Sequence, residues 1–335
     1  MIKKRNAKWR QLVRSRGLYI EPRAILSKHS KVFCIGSCFA VEIKRTLRKM
    51  NYCVHPADDP LKIALSDGKV YVPTERQLMH YNTYCILQEF EKALDLWRQP
   101  DDDYWVVRDS QTDRYLNGSY QDPYRNRVSA RTHEDILCIT REFDRVLREG
   151  ILQSDVYIVT LGLTEVWRKK DNGRVAGVNP RYLSDEIAFE RSTFEENYAN
   201  MKRMAELIGT HFPGRQIVLS VSPVPMSMTF SDEDVMVANM ESKAVLRAVA
   251  TRIAREYPNV TYFPSYEMCT LFEKFKIRPV YKSDARHVLP ETVASIIESF
   301  LEHFSSDGPE AARAVVPPKH PFFFMERLFR RMMSL

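Results

Sequence analysis

The chain has 335 residues, 44% of them hydrophobic, and a formal net charge of +7. That length buries one large core or two modest ones, and no stretch approaches the ~20 consecutive apolar residues of a membrane span. The six cysteines (34, 38, 53, 85, 138, 269) are scattered and form no CxxC pair, and no apolar run follows the basic start, so reduced thiols in a cytoplasm are expected.

The charge is uneven. Residues 1–31 carry ten Lys/Arg and one Glu, which gives +9, so the remaining 304 residues sum to −2. The basic arm could touch an anionic surface, or it could be a solvated terminal segment. Val32–Ile35 then reads as a short buried strand, and Phe39, Ile43, Leu47 and Met50 follow at helical spacing. Tyr52–His55 is a second strand. Residues 84–97 and His133–Arg148 read as helices. Val156–Leu161 is apolar at nearly every position, as in a parallel strand covered on both faces. Phe194–His211 predicts a helix, Gln216–Val221 a strand, and Val235–Tyr257 a long helix stopped by Pro258. Val260–Phe263 is the fifth strand, and Pro290–Phe304 the closing helix with Pro at its first turn. This alternation argues a doubly wound α/β domain over residues 32–305. Two polar or charged stretches, 98–130 and 168–193, are expected as loop or cap insertions. Residues 306–335 form a tail: after Pro317-Pro318, an amphipathic segment carries Phe322–Phe324, Leu328, Phe329, Met332 and Met333 with three arginines. It either docks on the body or on a second subunit, or attaches peripherally to a membrane.

Chemistry concentrates at two places. Gly36-Ser37-Cys38-Phe39-Ala40 puts a serine where a strand becomes a helix, beside free backbone N–H groups. Asp284-Ala285-Arg286-His287 puts a carboxylate and an imidazole three residues apart. Together they supply nucleophile, base and base-orienter for acyl transfer. The plain alternatives are a helix-capping serine and a surface aspartate beside a capping histidine. Cys38, at a helix N-terminus, would have a lowered pKa and compete as nucleophile.

The first motif spells the signature of the GSCFA family, and the chain resembles that family over roughly residues 30–304. Further stretches are similar to its members: Tyr81-Asn82-Thr83, Leu87-Gln88-Glu89-Phe90, Thr160–Trp167, Ser222-Pro223-Val224-Pro225, Ser242-Lys243 and Tyr262–Tyr266. The family in turn looks like SGNH (GDSL-type) hydrolases. The resemblance implies a flavodoxin-like, mostly parallel five-stranded sheet with helices on both faces. It also implies Ser37 as nucleophile, His287 as base and Asp284 as orienter, with Ser37 and His287 within hydrogen-bond reach. Where that pattern has Gly-x-Asn-Asp, this chain has Gly162-Leu163-Thr164-Glu165, so Thr164 stands at the oxyanion-binding Asn, and Asn82 is the substitute donor. Glu165 is expected to orient a substrate hydroxyl or to pair with Arg125 or Arg286. Trp105, Trp167, Tyr124 and Tyr81 are candidates to stack on a sugar or acyl group.

The expected activity is an acyl-ester hydrolase or O-acyltransferase working through an acyl-enzyme on an acylated small molecule, glycan or glycolipid. The competing reading is a binding or scaffold protein with a degenerate oxyanion hole. No organic cofactor is implied, although transfer needs an acyl donor such as acetyl-CoA. The histidines lack metal-ligand spacing, and no glycine-rich phosphate loop is present. Nucleic acid is not an expected partner. The expected location is cytoplasmic, at the inner membrane face if the tail is an anchor.

Overall fold

The structure is a computed structural model that describes Trp9 and residues 18–57, 61–106, 120–177, 186–275 and 279–307. Five parallel strands form its centre: β1 (Lys31–Gly36), β2 (Cys53–His55), β3 (Val156–Leu161), β4 (Gln216–Val221) and β5 (Val260–Tyr262). Their order is β5-β4-β3-β1-β2. Every pairing is parallel, so no antiparallel edge interrupts the sheet. This is the flavodoxin-like order, whose ligands lie outside the strand C-termini.

The continuous apolar strands follow from two covered faces. Phe33 and Ile35 of β1, and Tyr157, Val159 and Leu161 of β3, point into one core. Helices α2 (Thr83–Ala93), α3 (His133–Gln153), α4 (Phe194–His211) and α5 (Val235–Glu256) close that face. The alternate residues, Val32, Cys34, Val156 and Ile158, point into the second core. There α1 (Cys38–Lys49), α6 (Ser265–Lys274) and α7 (Pro290–Phe304) cover them. Each fully buried Phe, Leu or Ile contributes roughly 1.5–3 kcal/mol of transfer free energy.

Several boundaries differ from the sequence reading. Helix α2 stops at Ala93, because Asp95 is left-handed at φ 57°, and Trp97 leaves the helix to pack on Tyr124 at 5.1 Å between ring centres. Helix α3 runs on to Gln153, past Gly150. A Cβ on that glycine would lie 2.9 Å from atoms of Phe33 and His55, so only glycine lets α3 approach β1 and β2. Helix α6 was not expected; it starts at Ser265 after Pro264 and buries Met268, Cys269 and Phe272.

The two inserted stretches carry short antiparallel strands. Residues 105–106, 120–121 and 129–130 make one three-stranded sheet, and 165–169, 175–176 and 187–191 another. Near the start, Ile20 and Leu26 are buried, and the Arg23 and Ile25 N–H groups donate to His303 and Phe304 carbonyls at the end of α7. Of the tail, residues 308–335, with Phe324, Leu328 and Phe329, lie outside the described residues. No helix among the described residues is long and apolar enough to cross a membrane.

Candidate active site

The row Gly36, Thr160 and Ser220 lies in register across β1, β3 and β4 near their C-terminal ends. Gly36 has φ +136°, and a Cβ there would fall 2.2 Å from the Thr160 carbonyl oxygen, so glycine alone lets β1 turn out against β3. The turn delivers Ser37 to the N-cap position of α1 in extended conformation. Its side chain makes no capping hydrogen bond. Ser37 is 3% exposed, and its hydroxyl has no hydrogen-bond partner.

Two neighbouring segments wall this serine. The His80 N–H donates to the Gly36 carbonyl at 2.8 Å, and the Leu163 N–H to the Tyr81 carbonyl at 2.7 Å. Residues 80–82 are thus pinned between β1 and the turn after β3. Gly162 sits at the junction: a Cβ would lie 2.6 Å from the Tyr81 carbonyl oxygen and 3.3 Å from Ser37 Cβ. Asn82, 3% exposed, caps α2 by accepting from the Cys85 N–H at 2.9 Å. That bond uses the amide oxygen and leaves the amide nitrogen as a donor.

The turn after β3 is gripped from α5 by two consecutive side chains. The Thr164 N–H donates to Ser242 Oγ at 2.9 Å, and Lys243 Nζ donates to the Gly162 carbonyl at 2.8 Å. Lys243 is 1% exposed, and burial pushes its ammonium down to about 7, with Cys38 opposing and Arg286 adding to the shift. Sequence reasoning gave Lys243 no site role. The signal was its position on the apolar stripe of α5, with Leu246, Ala250 and Ile253 following at helical spacing.

The second motif forms a tight turn with Ala285 at φ 53°. Asp284 Oδ1 accepts from the Arg286 and His287 N–H groups, each at 3.0 Å, and Oδ2 pairs with His287 Nδ1 at 2.5 Å. The His287 side-chain bond and these backbone donors hold the Asp284 carboxyl well below the usual carboxylate range. With Nδ1 on the carboxylate, Nε2 is the imidazole's open nitrogen. The turn is seated on the segment after β4: Tyr281 Oη donates to the Pro223 carbonyl and Arg286 Nε to the Pro225 carbonyl, both at 3.2 Å. Arg286 acts electrostatically on Cys38, Lys243 and Tyr81, so the turn borders the same rim as Ser37.

Four expectations need correction. Among the described residues no hydrogen bond joins Ser37 to His287; the serine hydroxyl is enclosed and unbonded, while Asp284 and His287 on the turn are exposed. Burial raises the Cys38 thiol, against the pull of Lys243 and Arg286, the opposite of the lowering expected at a helix N-terminus. Glu165 does not meet an arginine: it accepts from the Thr229 hydroxyl and the Phe230 N–H, and so ties down the 229–231 loop. Arg125 is instead buried among Glu89, Asp144 and Asp122. Trp105 and Tyr124 are buried packing residues, while Trp167 is grouped with Phe189 and Phe230. Thr164 is buried beside the grip on Gly162, with its carbonyl held by the Ser192 N–H and hydroxyl.

Among the described residues no group of three or more His, Cys, Asp or Glu side chains could hold a metal ion. An open cleft lies away from this site, between residues 19–23 and the β5 edge, lined by Arg247 and Tyr262 among others.

Among curated proteins none matches the chain. A solved Streptococcus pneumonia protein named for platelet activating factor matches at 14% identity, over 44% of this chain and 60% of that one, with a TM-score of 0.27. A likeness that low carries no functional weight. A family model does match, across residues 31–300, from the first central strand into the closing helix and including both motifs, and the chain belongs to the GSCFA family.

Proposed function

We propose that the chain is a serine-dependent acyl-ester enzyme, hydrolase or O-acyltransferase, with Ser37 as nucleophile, His287 as base and Asp284 as its orienter. One observation supports it most. Asn82, Thr132, Thr193 and Asp234 stand at the N-caps of α2 to α5, and each side chain accepts a capping hydrogen bond. Ser37 has the same position on α1 and does not cap. A buried hydroxyl left without a partner costs about 1–3 kcal/mol, and this one stands where β1 gives way to α1, the place of a nucleophile in the proposed reaction.

In the proposed reaction Ser37 Oγ attacks the ester carbonyl carbon, and its proton passes to His287 Nε2. The carbonyl electrons move onto oxygen. Collapse of that intermediate breaks the bond to the alcohol, which leaves with the proton from His287. Water or a sugar hydroxyl then repeats the path on the acyl-serine. Asn82, through its amide nitrogen, and the backbone beside Ser37 are the oxyanion donors. The rim must open to admit the ester, and the Asp284–His287 turn must close on Ser37. A glycan or glycolipid ester is the substrate class that the family resemblance suggests; transfer would draw on an acyl donor such as acetyl-CoA.

The scaffold reading keeps one supporting observation, the missing bond between Ser37 and His287. A fluorophosphonate label and aryl-acetate hydrolysis separate the two. The enzyme reading expects labelling that vanishes in Ser37→Ala and turnover that falls about 10³-fold or more in Asp284→Asn, which reverses the histidine's tautomer. An unlabelled, folded wild type would favour the scaffold.

A further inference from the structure

Lys243 has no carboxylate beside it among the described residues. Its ammonium has three donors, and the one hydrogen bond it makes among the described residues goes to a neutral carbonyl, that of Gly162. The groups that act on it are the Cys38 thiol from α1 and the Arg286 guanidinium from the 284–287 turn. The thiol is pushed up by burial and is uncharged at neutral pH, and the guanidinium repels an ammonium. Taking an ammonium out of water with no carboxylate beside it costs several kcal/mol. The carbonyl it grips belongs to the glycine packed on Ser37 Cβ. Negative charge would arise at this spot only during reaction, on the oxygen of a carbonyl under attack by Ser37.

We propose that Lys243 is a positioning residue whose charge, held beside Ser37 by its grip on the Gly162 peptide, stabilises the oxyanion of the acyl-transfer step. The inference rests on the reading of Ser37 as nucleophile. It accounts for Thr164, which stands where the resemblance has an oxyanion-binding Asn: the field of a full charge in a water-poor site replaces one amide dipole. Lys243 exchanges no proton in the step; the serine proton goes to His287. Because its ammonium is depressed to about 7, the stabilisation fades as the solution becomes alkaline.

The test is the rate at which a fluorophosphonate labels Ser37 in the full chain, from about pH 5.5 to about pH 9. In the wild type the rate should fall on the alkaline side as Lys243 discharges near 7. Lys243→Met should label at least ~10-fold more slowly at the wild-type optimum and lose the alkaline fall, with thermal stability kept or raised. Lys243→Gln, which keeps a donor for Gly162 without charge, should show the same loss, and it carries the test if the Met variant does not fold. A purely structural lysine would lower the rate at every pH and leave the alkaline fall in place. Either variant labelling like the wild type overturns the inference and leaves the nucleophile standing. A wild type that is unlabelled at every pH, as Ser37→Ala is, overturns both.

Discussion

Arg125 and Lys243 are both fully buried, and their surroundings are opposite. Arg125 belongs to the inserted 98–130 stretch and has three carboxylates around it. It reaches Glu89 through Nε at 2.9 Å and through a terminal nitrogen at 2.8 Å, lies 3.6 Å from Asp122, and also bonds Asp144. Burial alone would push the Glu89 carboxyl up, but Arg125 overrides it, with help from His80, and holds it well below its ordinary value. Lys243, at the strand ends, has one carbonyl and no carboxylate among the described residues. The first arrangement fastens an insertion to α2 and α3. The second leaves charge uncompensated where chemistry is proposed. Burial of a charge is therefore not informative by itself; the presence or absence of its counter-charge separates the two roles.

The comparison breaks most readily on stability. Arg125→Met strands the Glu89 and Asp122 carboxylates, and urea unfolding should show a loss of about 3–5 kcal/mol. A loss below about 1 kcal/mol would mean that the network is not holding the insertion.

A pH series should sharpen the other half. The Lys243 ammonium has a folded value of about 7 against an ordinary 10.5. Between those values the unfolded chain binds more protons than the folded one, so this lysine makes stability rise with pH across that window. The difference in unfolding free energy between wild type and Lys243→Met should therefore shift in favour of the wild type from about pH 7 to about pH 10. A difference that is flat in pH would show that the lysine is not buried as a strained cation.

The smallest effect contrasts two N-caps. Thr193→Ala removes a bond to the Glu196 N–H and should cost about 1 kcal/mol. Ser37→Ala removes a hydroxyl that bonds nothing and should be neutral or slightly stabilising. Equal losses in thermal melts would show that Ser37 is capping α1 in solution.

The sheet was legible because each central strand is covered on both faces, so Val156–Leu161 and Gln216–Val221 are apolar at most positions. Helix α6 escaped because its apolar set, Met268, Cys269 and Phe272, is short and follows directly on Pro264. Ser37, Asp284 and His287 were picked out as candidates from two local motifs. The relation between the two motifs was not, since it depends on how the rim closes. The partners of Glu165 could not be read either: Thr229 lies 64 residues away in a loop with no periodicity. Lys243 shows the same limit in another form. Its residue type is ordinary, and what makes it informative is the absence of an acid, which only tertiary packing decides.

The seat of the Asp284–His287 turn has an evolutionary consequence. Tyr281 and Arg286 hang the turn on the carbonyls of Pro223 and Pro225, and every residue type carries a carbonyl. The docking is thus indifferent to side-chain identity at those two positions and sensitive only to the path of the main chain, which proline stiffens. Substitutions along 222–226 that keep this path can drift without unmooring the histidine, so the strand-end loop is free to be retuned while the Asp284–His287 turn stays hitched to it.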